Sequence, residues 1–162
     1  MAIYLKFNDG KVKGDVTAEG YKDWINLDSM QFGVGRGISM GVGSMSNREA
    51  SLPSLSEVTV SKSLDPSSPM LLKDALAGAE GVKAEIALVR TGAKQVEEVG
   101  RYILEDVLIS SYSVSAGGDS APSESVSMSY SKFTADLKGA DKSNKNGTNI
   151  KVGYDLSTGK PL

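Results

Sequence analysis

The side chains able to do chemistry here are few, and the missing ones decide most of the question. The 162 residues contain no His and no Cys, which removes the imidazole base, every thiolate nucleophile and the common zinc ligands together. Glu97 with Glu98, and Glu105 with Asp106, are acidic pairs such as a glycosidase needs, but its two carboxyls must face each other across a scissile bond. Neighbouring strand residues point to opposite faces, so neither pair converges and both read as solvated charge. Serine is dense from Ser110 to Ser131. With no His and no Lys placed as a base, none of these hydroxyls is an activated nucleophile; they read as a surface coating.

Binding motifs fare no better. Gly35, Gly37 and Gly41 spell G-x-G-x-x-x-G, one residue too long for the dinucleotide fingerprint and not followed by an amphipathic helix. Asp141 to Gly147 resembles a calcium loop only superficially, with Ser143 and Lys145 at alternate ligand positions and no terminal bidentate Glu. It reads as a turn. Trp24, close to Tyr21, suits either half of a sugar-stacking platform or an anchor in a core or between subunits. No catalytic, cofactor-binding or metal-binding residue is predicted.

The elements that carry these residues are strands. Apolar residues are 40% and charged residues 23%, while Gly, Ser and Thr are plentiful, a balance that favours one mainly β domain over residues 1–162. The net charge of −2 is spread, which leaves no footprint for nucleic acid or an anionic membrane. Met1 to Phe7 has neither the basic start nor the apolar run of a signal peptide, and no segment approaches a membrane span. A chain made in the cytoplasm is expected, and a fold without Cys is indifferent to redox compartment.

Along the chain, Ile3 to Phe7 alternates as a first strand. Trp24 to Phe32 reads as a second whose buried parity switches from Ile25 and Leu27 to Met30 and Phe32, which predicts a bulge near Asp28 or Ser29. Leu55 to Leu64 is a third strand. Ser68 as cap, Pro69 at the first helical position and the apolar face of Leu71, Leu72, Ala75 and Leu76 predict the one helix. Lys83 to Arg90 and Val96 to Ser115 form a hairpin. Glu124 to Ser131 then sets Val126, Met128 and Tyr130 on one face and serines on the other, Ile150 to Leu156 is a last strand, and 157–162 is expected to be a loose tail. The glycine-rich loop after Phe32, carrying Ile38, Met40, Val42 and Met45, is too apolar to stand in water and calls for a partner, most simply a second copy.

Three stretches resemble one family. The opening Ile3-Tyr4-Leu5-Lys6-Phe7 leads to Val12-Lys13-Gly14-Asp15, and Val60-Ser61-Lys62-Ser63-Leu64-Asp65-Pro66-Ser67-Ser68-Pro69 joins strand to helix. Most specific is Leu104-Glu105-Asp106-Val107-Leu108-Ile109-Ser110-Ser111-Tyr112-Ser113, then Gly117-Gly118-Asp119, then Glu124 to Lys132. Together they are similar to the haemolysin-coregulated (Hcp) family of type VI secretion. Asp15 replaces a usual Glu, Tyr154 stands where members often carry Trp, and Leu137 where an aromatic is common.

The resemblance implies a two-sheet β-barrel with one helix, six copies to a ring, and rings stacked into the inner tube of an injection machine. It implies no enzyme and no cofactor. Its partners would be further copies, the spike, the contractile sheath and small effectors in the bore, and its destination would be outside the cell. By family position Ser29 and Gln31 are expected to face the lumen, with Ser125, Ser127 and Ser129 as a second candidate set. Gly35, Ile38, Met40, Val42 and Met45 would reach the adjoining subunit. Two rival readings are a phage tail-tube subunit, which neighbouring capsid genes would reveal, and a carbohydrate-binding β-sandwich.

Overall fold

The structure, a computed structural model, describes residues 1–39, 42–43, 49–91, 96–140 and 146–162. Its strands are β1 (Ala2–Phe7), β2 (Ile25–Leu27), β3 (Ser29–Gln31), β4 (Val34–Gly35), β5 (Ile38–Ser39), β6 (Glu49–Ala50), β7 (Ser54–Leu55) and β8 (Val58–Ser63), followed by helix α1 (Ser68–Ala77). After the helix come β9 (Val82–Thr91), β10 (Val96–Gly117), β11 (Ser120–Ser129), β12 (Lys132–Ala140), β13 (Asn146–Asp155) and β14 (Lys160–Pro161). The first sheet runs β2-β1-β9-β10-β12-β13-β14 and the second β10-β11-β8-β3, all antiparallel.

Strand β10 belongs to both sheets. Residues 96–107 pair with β9, and residues 108–117 pair with β11. The corner lies at Asp106, whose φ is 57°. Gly81 lies against it so closely that an added Cβ would fall 1.8 Å from the Asp106 carboxylate, so only glycine permits the turn. Between the sheets the apolar parity of each strand meets: Leu5, Phe7, Ile25, Leu27, Val58, Val60, Ile86, Leu104, Val126 and Met128 are all buried. Each such side chain contributes about 1.5–3 kcal/mol through the water it sheds. A smaller cluster of Val16, Tyr21, Ala87 and Val89 forms where residues 11–24 fold over the open face of the first sheet.

The expected closed barrel does not form. At Asp28 the chain passes from one sheet to the other, but β2 and β3 are only three residues each and do not pair with one another, so the sheets stay open along this side. Upstream, Leu27 pairs with Ile3 of β1; downstream, Ser29 pairs with Ser61 of β8, and Asp28 itself only donates its N–H to Ser61 O at 2.8 Å. The irregularity expected near Asp28 is therefore a break between two strands, β2 and β3, and not a bulge within one.

Three other expectations need correction. Ser67, not Ser68, occupies the N-cap position of α1, and it makes no side-chain cap bond, because its hydroxyl is donated to Asp65 Oδ1 instead; the Ser68 hydroxyl is donated to Glu124. Of the expected apolar face Leu71 alone is buried, while Leu72 and Leu76 are exposed. The tail is not loose: Asp155 Oδ1 accepts from the N–H groups of Ser157 and Thr158, Gly159 takes a φ of 66°, and β14 returns to pair with Tyr154 and Asp155. Strand β12 had no counterpart in the sequence reading, although Phe133, Ala135 and Leu137 alternate in it.

Candidate functional site

The open face of the second sheet is built from hydroxyls in register. Reading across the strands, one row is Ser29, Ser61, Ser125 and Ser113, the next is Gln31, Thr59, Ser127 and Ser111, and a third is Ser63, Ser123 and Ser115. The cause is strand alternation: Val58, Val60 and Lys62 of β8 and Glu124, Val126 and Met128 of β11 turn inward, which sends the intervening Ser and Thr outward. Neighbours in the rows bond each other, Ser29 Oγ to Ser61 Oγ at 2.5 Å and Thr59 Oγ1 to Ser127 Oγ at 3.0 Å.

No charged side chain interrupts these rows. Carboxylates stand only at the margins, where Glu57 accepts from Ser110 Oγ at 2.6 Å and Asp28 from Ser63 Oγ at 3.4 Å. The charges of these strands sit behind the face instead. Lys62, flanked by two outward serines, points inward and is fully buried, as is Glu124 of β11, and the two meet at 2.6 Å. The tyrosine hydroxyl of Tyr112 also donates to Glu124, and burial together with that bond pushes its pKa up to about 12.

Of the residues expected to line a lumen, Ser29, Gln31, Ser125 and Ser127 lie together on this face. Ser129 keeps the parity but lies beyond the last β8 pairing, opposite exposed Leu108. Thr59, Ser61, Ser111 and Ser113 were not singled out, because their place depends on strand order. The alternation of Thr59 and Ser61 with Val58 and Val60 was the available signal.

The face has two unpaired edges. Strand β3 pairs only with β8, and residues 108–117 of β10 pair only with β11. Next to β3 the chain leaves as a double-stranded arm in which Gly35 pairs with Ser54 and Ile38 with Ala50. Val34, Ile38, Val42 and Leu52 are exposed along it; Met40 and Met45 lie outside the described residues.

The remaining chemical candidates do not converge. Glu97 turns to Arg90 at 3.0 Å and Glu98 to Arg101 at 2.7 Å, while Glu105 lies 3.4 Å from Lys132 and Asp106 holds the corner. Trp24 has Arg101 and Lys6 over its ring at 5.5 and 6.0 Å and Tyr21 at its edge, so it offers no free platform to a sugar. Among the described residues no group of three or more acidic side chains could hold a metal, and no helix is long and apolar enough to cross a membrane.

The family profile described as type VI secretion system effector, Hcp, matches residues 4–136. The chain belongs to the Hcp family. Among solved structures, a type six secretion system protein is 26% identical, with a TM-score of 0.88 and 99% of each chain covered. Hcp1 from Salmonella typhimurium shares the fold at 20% identity and a TM-score of 0.76, over 99% of this chain and 98% of its own. A type VI secretion system effector from Yersinia pestis does so at 19% and 0.72, over 94% and 98%. Curated protein sequences give no match. This is therefore a type VI secretion protein of the Hcp family, mainly β with one helix.

Proposed function

We propose that this Hcp-family chain is a segment of the inner tube of a type VI secretion apparatus, in which six copies close a ring, rings stack head to tail, and the hydroxyl face lines the bore. The observation that carries the reading is that face, bounded by two unpaired edges. An edge strand presents unsatisfied N–H and C=O groups that invite pairing. Setting β3 of one copy against residues 108–117 of the next would extend the same sheet with its hydroxyl rows on the same side. Because the two edges differ, the joint is heterologous, the kind that closes as a ring of six when each copy is turned by a sixth of a revolution from the last. The exposed apolar residues of the arm reach the adjoining copy.

A wall of small uncharged hydroxyls has nothing with which to hold cargo tightly, which suits a conduit for small effector proteins of unlike surface. The spike at the tip and the contractile sheath outside are the remaining partners, and the role is structural and transporting, not enzymatic. The ring leaves the cell through the apparatus it builds. Negative-stain imaging of the purified full chain tests this directly: hollow six-fold particles are expected, and a monomer at every concentration and salt tried would refute it. Shortening Gly37 to Gly43 should deplete the ring on a sizing column.

A further inference from the structure

Helix α1 is fastened to the body chiefly at its start. Of its residues only Ser68 and Leu71 are buried, and no side chain caps its first turn. What grips that turn is the charge cluster behind the hydroxyl face. Lys62 Nζ donates to Glu124 Oε2 at 2.6 Å, Asp65 Oδ1 at 2.8 Å, Ser63 O at 2.9 Å and Ser68 Oγ at 3.1 Å. Ser68 Oγ donates in turn to Glu124 at 2.8 Å, and Asp65 accepts from the Ser67 N–H at 2.8 Å and from its hydroxyl at 2.5 Å. The titratable groups around Glu124 are thus Lys62 from β8, Asp65 from the turn before α1 and Tyr112 from β10, while α1 contributes only the hydroxyls of Ser67 and Ser68.

We propose that α1 is an acid-releasable latch: ionised Glu124 pins the first turn of the helix to the second sheet, and its protonation lets α1 undock while both sheets stay folded. Burial pushes the Glu124 carboxyl up, but hydrogen bonds from Lys62, Tyr112 and Ser68 outweigh it and hold the group below its ordinary 4.5. A depressed carboxylate stabilises the docked form at neutral pH, and that contribution is lost as pH falls through the depressed value. The opening stays local because little else binds the helix: past Leu71 only Asp74 and Ala75 are even half-buried. Elements with few buried contacts open below the cost of global unfolding. Undocking uncovers Leu71, the one apolar side chain the helix buries.

Amide hydrogen exchange of the full chain, normalised to intrinsic rates at neutral pH and at about pH 3.5, tests the latch. Residues 68–77 should exchange several-fold faster in acid, with about tenfold as the ceiling for one carboxyl read about one pH unit below its ordinary 4.5, while 84–89 and 126–128 stay protected. Glu124→Gln should show the fast helix already at neutral pH, and Lys62→Met with Glu124→Leu should remove most of the acid response of helix exchange, leaving only what Asp65 contributes. The proposal is overturned if the helix keeps its protection in acid, if helix and sheets open together, or if Glu124→Gln matches the parent. Should Glu124→Gln cost the sheets their protection, Tyr112→Phe carries the test: faster helix exchange at neutral pH supports the latch, and unchanged exchange refutes it.

Discussion

The two sheets handle charge in opposite ways. The first sheet wears its ions on its open face: Arg101 spans Glu85 and Glu98 at 2.7 Å each, Lys83 meets Glu85 at 3.1 Å, and Arg101 lies over Trp24. The second sheet hides Lys62 and Glu124 in the core and leaves its open face to hydroxyls. Both solutions satisfy polar groups, but they leave different surfaces. One can meet a charged partner in specific register. The other offers every passing surface the same weak, exchangeable hydrogen bonds, as a bore wall requires.

The buried ions offer the largest way to break this contrast. Lys62→Met alone would leave Glu124 and Asp65 in the core without their cation, and removing one partner of a buried pair costs about 3–5 kcal/mol. Lys62→Met with Glu124→Leu should recover part of that loss, since a packed apolar pair of similar volume is often no worse than the ions, while Asp65 is still left without its cation. Chemical denaturation of the two variants checks it. If the double variant is as unstable as the single, the cluster matters for more than its charge balance.

Next in size is the hub of the first sheet. Arg101→Ala removes charge-assisted bonds to Glu85 and Glu98, each worth about 1.5–3 kcal/mol when buried and less at this exposure. The expected loss is about 1–2 kcal/mol. It should shrink in high salt, whereas the Lys62→Met loss should not, because screening reaches exposed pairs far more than buried ones. Equal salt dependence would erase the distinction between the sheets.

A charge placed on the hydroxyl face sharpens the contrast from the other side. Gln31→Lys is exposed and bonds nothing essential, so stability should move by no more than about 0.5 kcal/mol, and rings should persist. Co-purification of effector with the ring should fall. Cargo retained at the parental level would show that an uncharged wall is not what cargo senses.

Much of this was legible in the sequence because alternation is local. The parity slip at Asp28, the serine face of β11 and the apolar partners Val126 and Met128 all follow from a period of two. Other features depend on what a strand pairs with. Nothing in Thr59 or Ser61 says that β3 and β11 flank them, so the full width of the hydroxyl face needed the sheet order. Strand β12 was passed over because Ala, Lys and Gly dilute its pattern. The serine pair before α1 shows the same limit: Ser67 stands at the N-cap with its hydroxyl given to Asp65, and the Ser68 hydroxyl goes to Glu124, 56 residues away, a partner that no local pattern names.

The smallest effect reads the first sheet's network without perturbing its fold. Tyr21 OH donates to Glu98 at 2.7 Å, and burial, then that bond and the negative charge behind it, push its pKa up to about 12. The same bond, with those from Arg101, offsets burial at Glu98 and holds its carboxyl below 4.5. The two shifts carry opposite signs in pH. Glu98 contributes stability at neutral pH that is lost as acid protonates it, whereas Tyr21, docked as the neutral phenol, contributes stability that is lost only as alkali passes its raised value. Tyr112, on the second sheet, is raised to the same figure by burial and then by its bond to Glu124. Glu98→Gln should therefore lower the ultraviolet-monitored titration of one tyrosine and leave the other in place. If both moved together, the charges of the two sheets would be coupled through the core and the division between them would not hold.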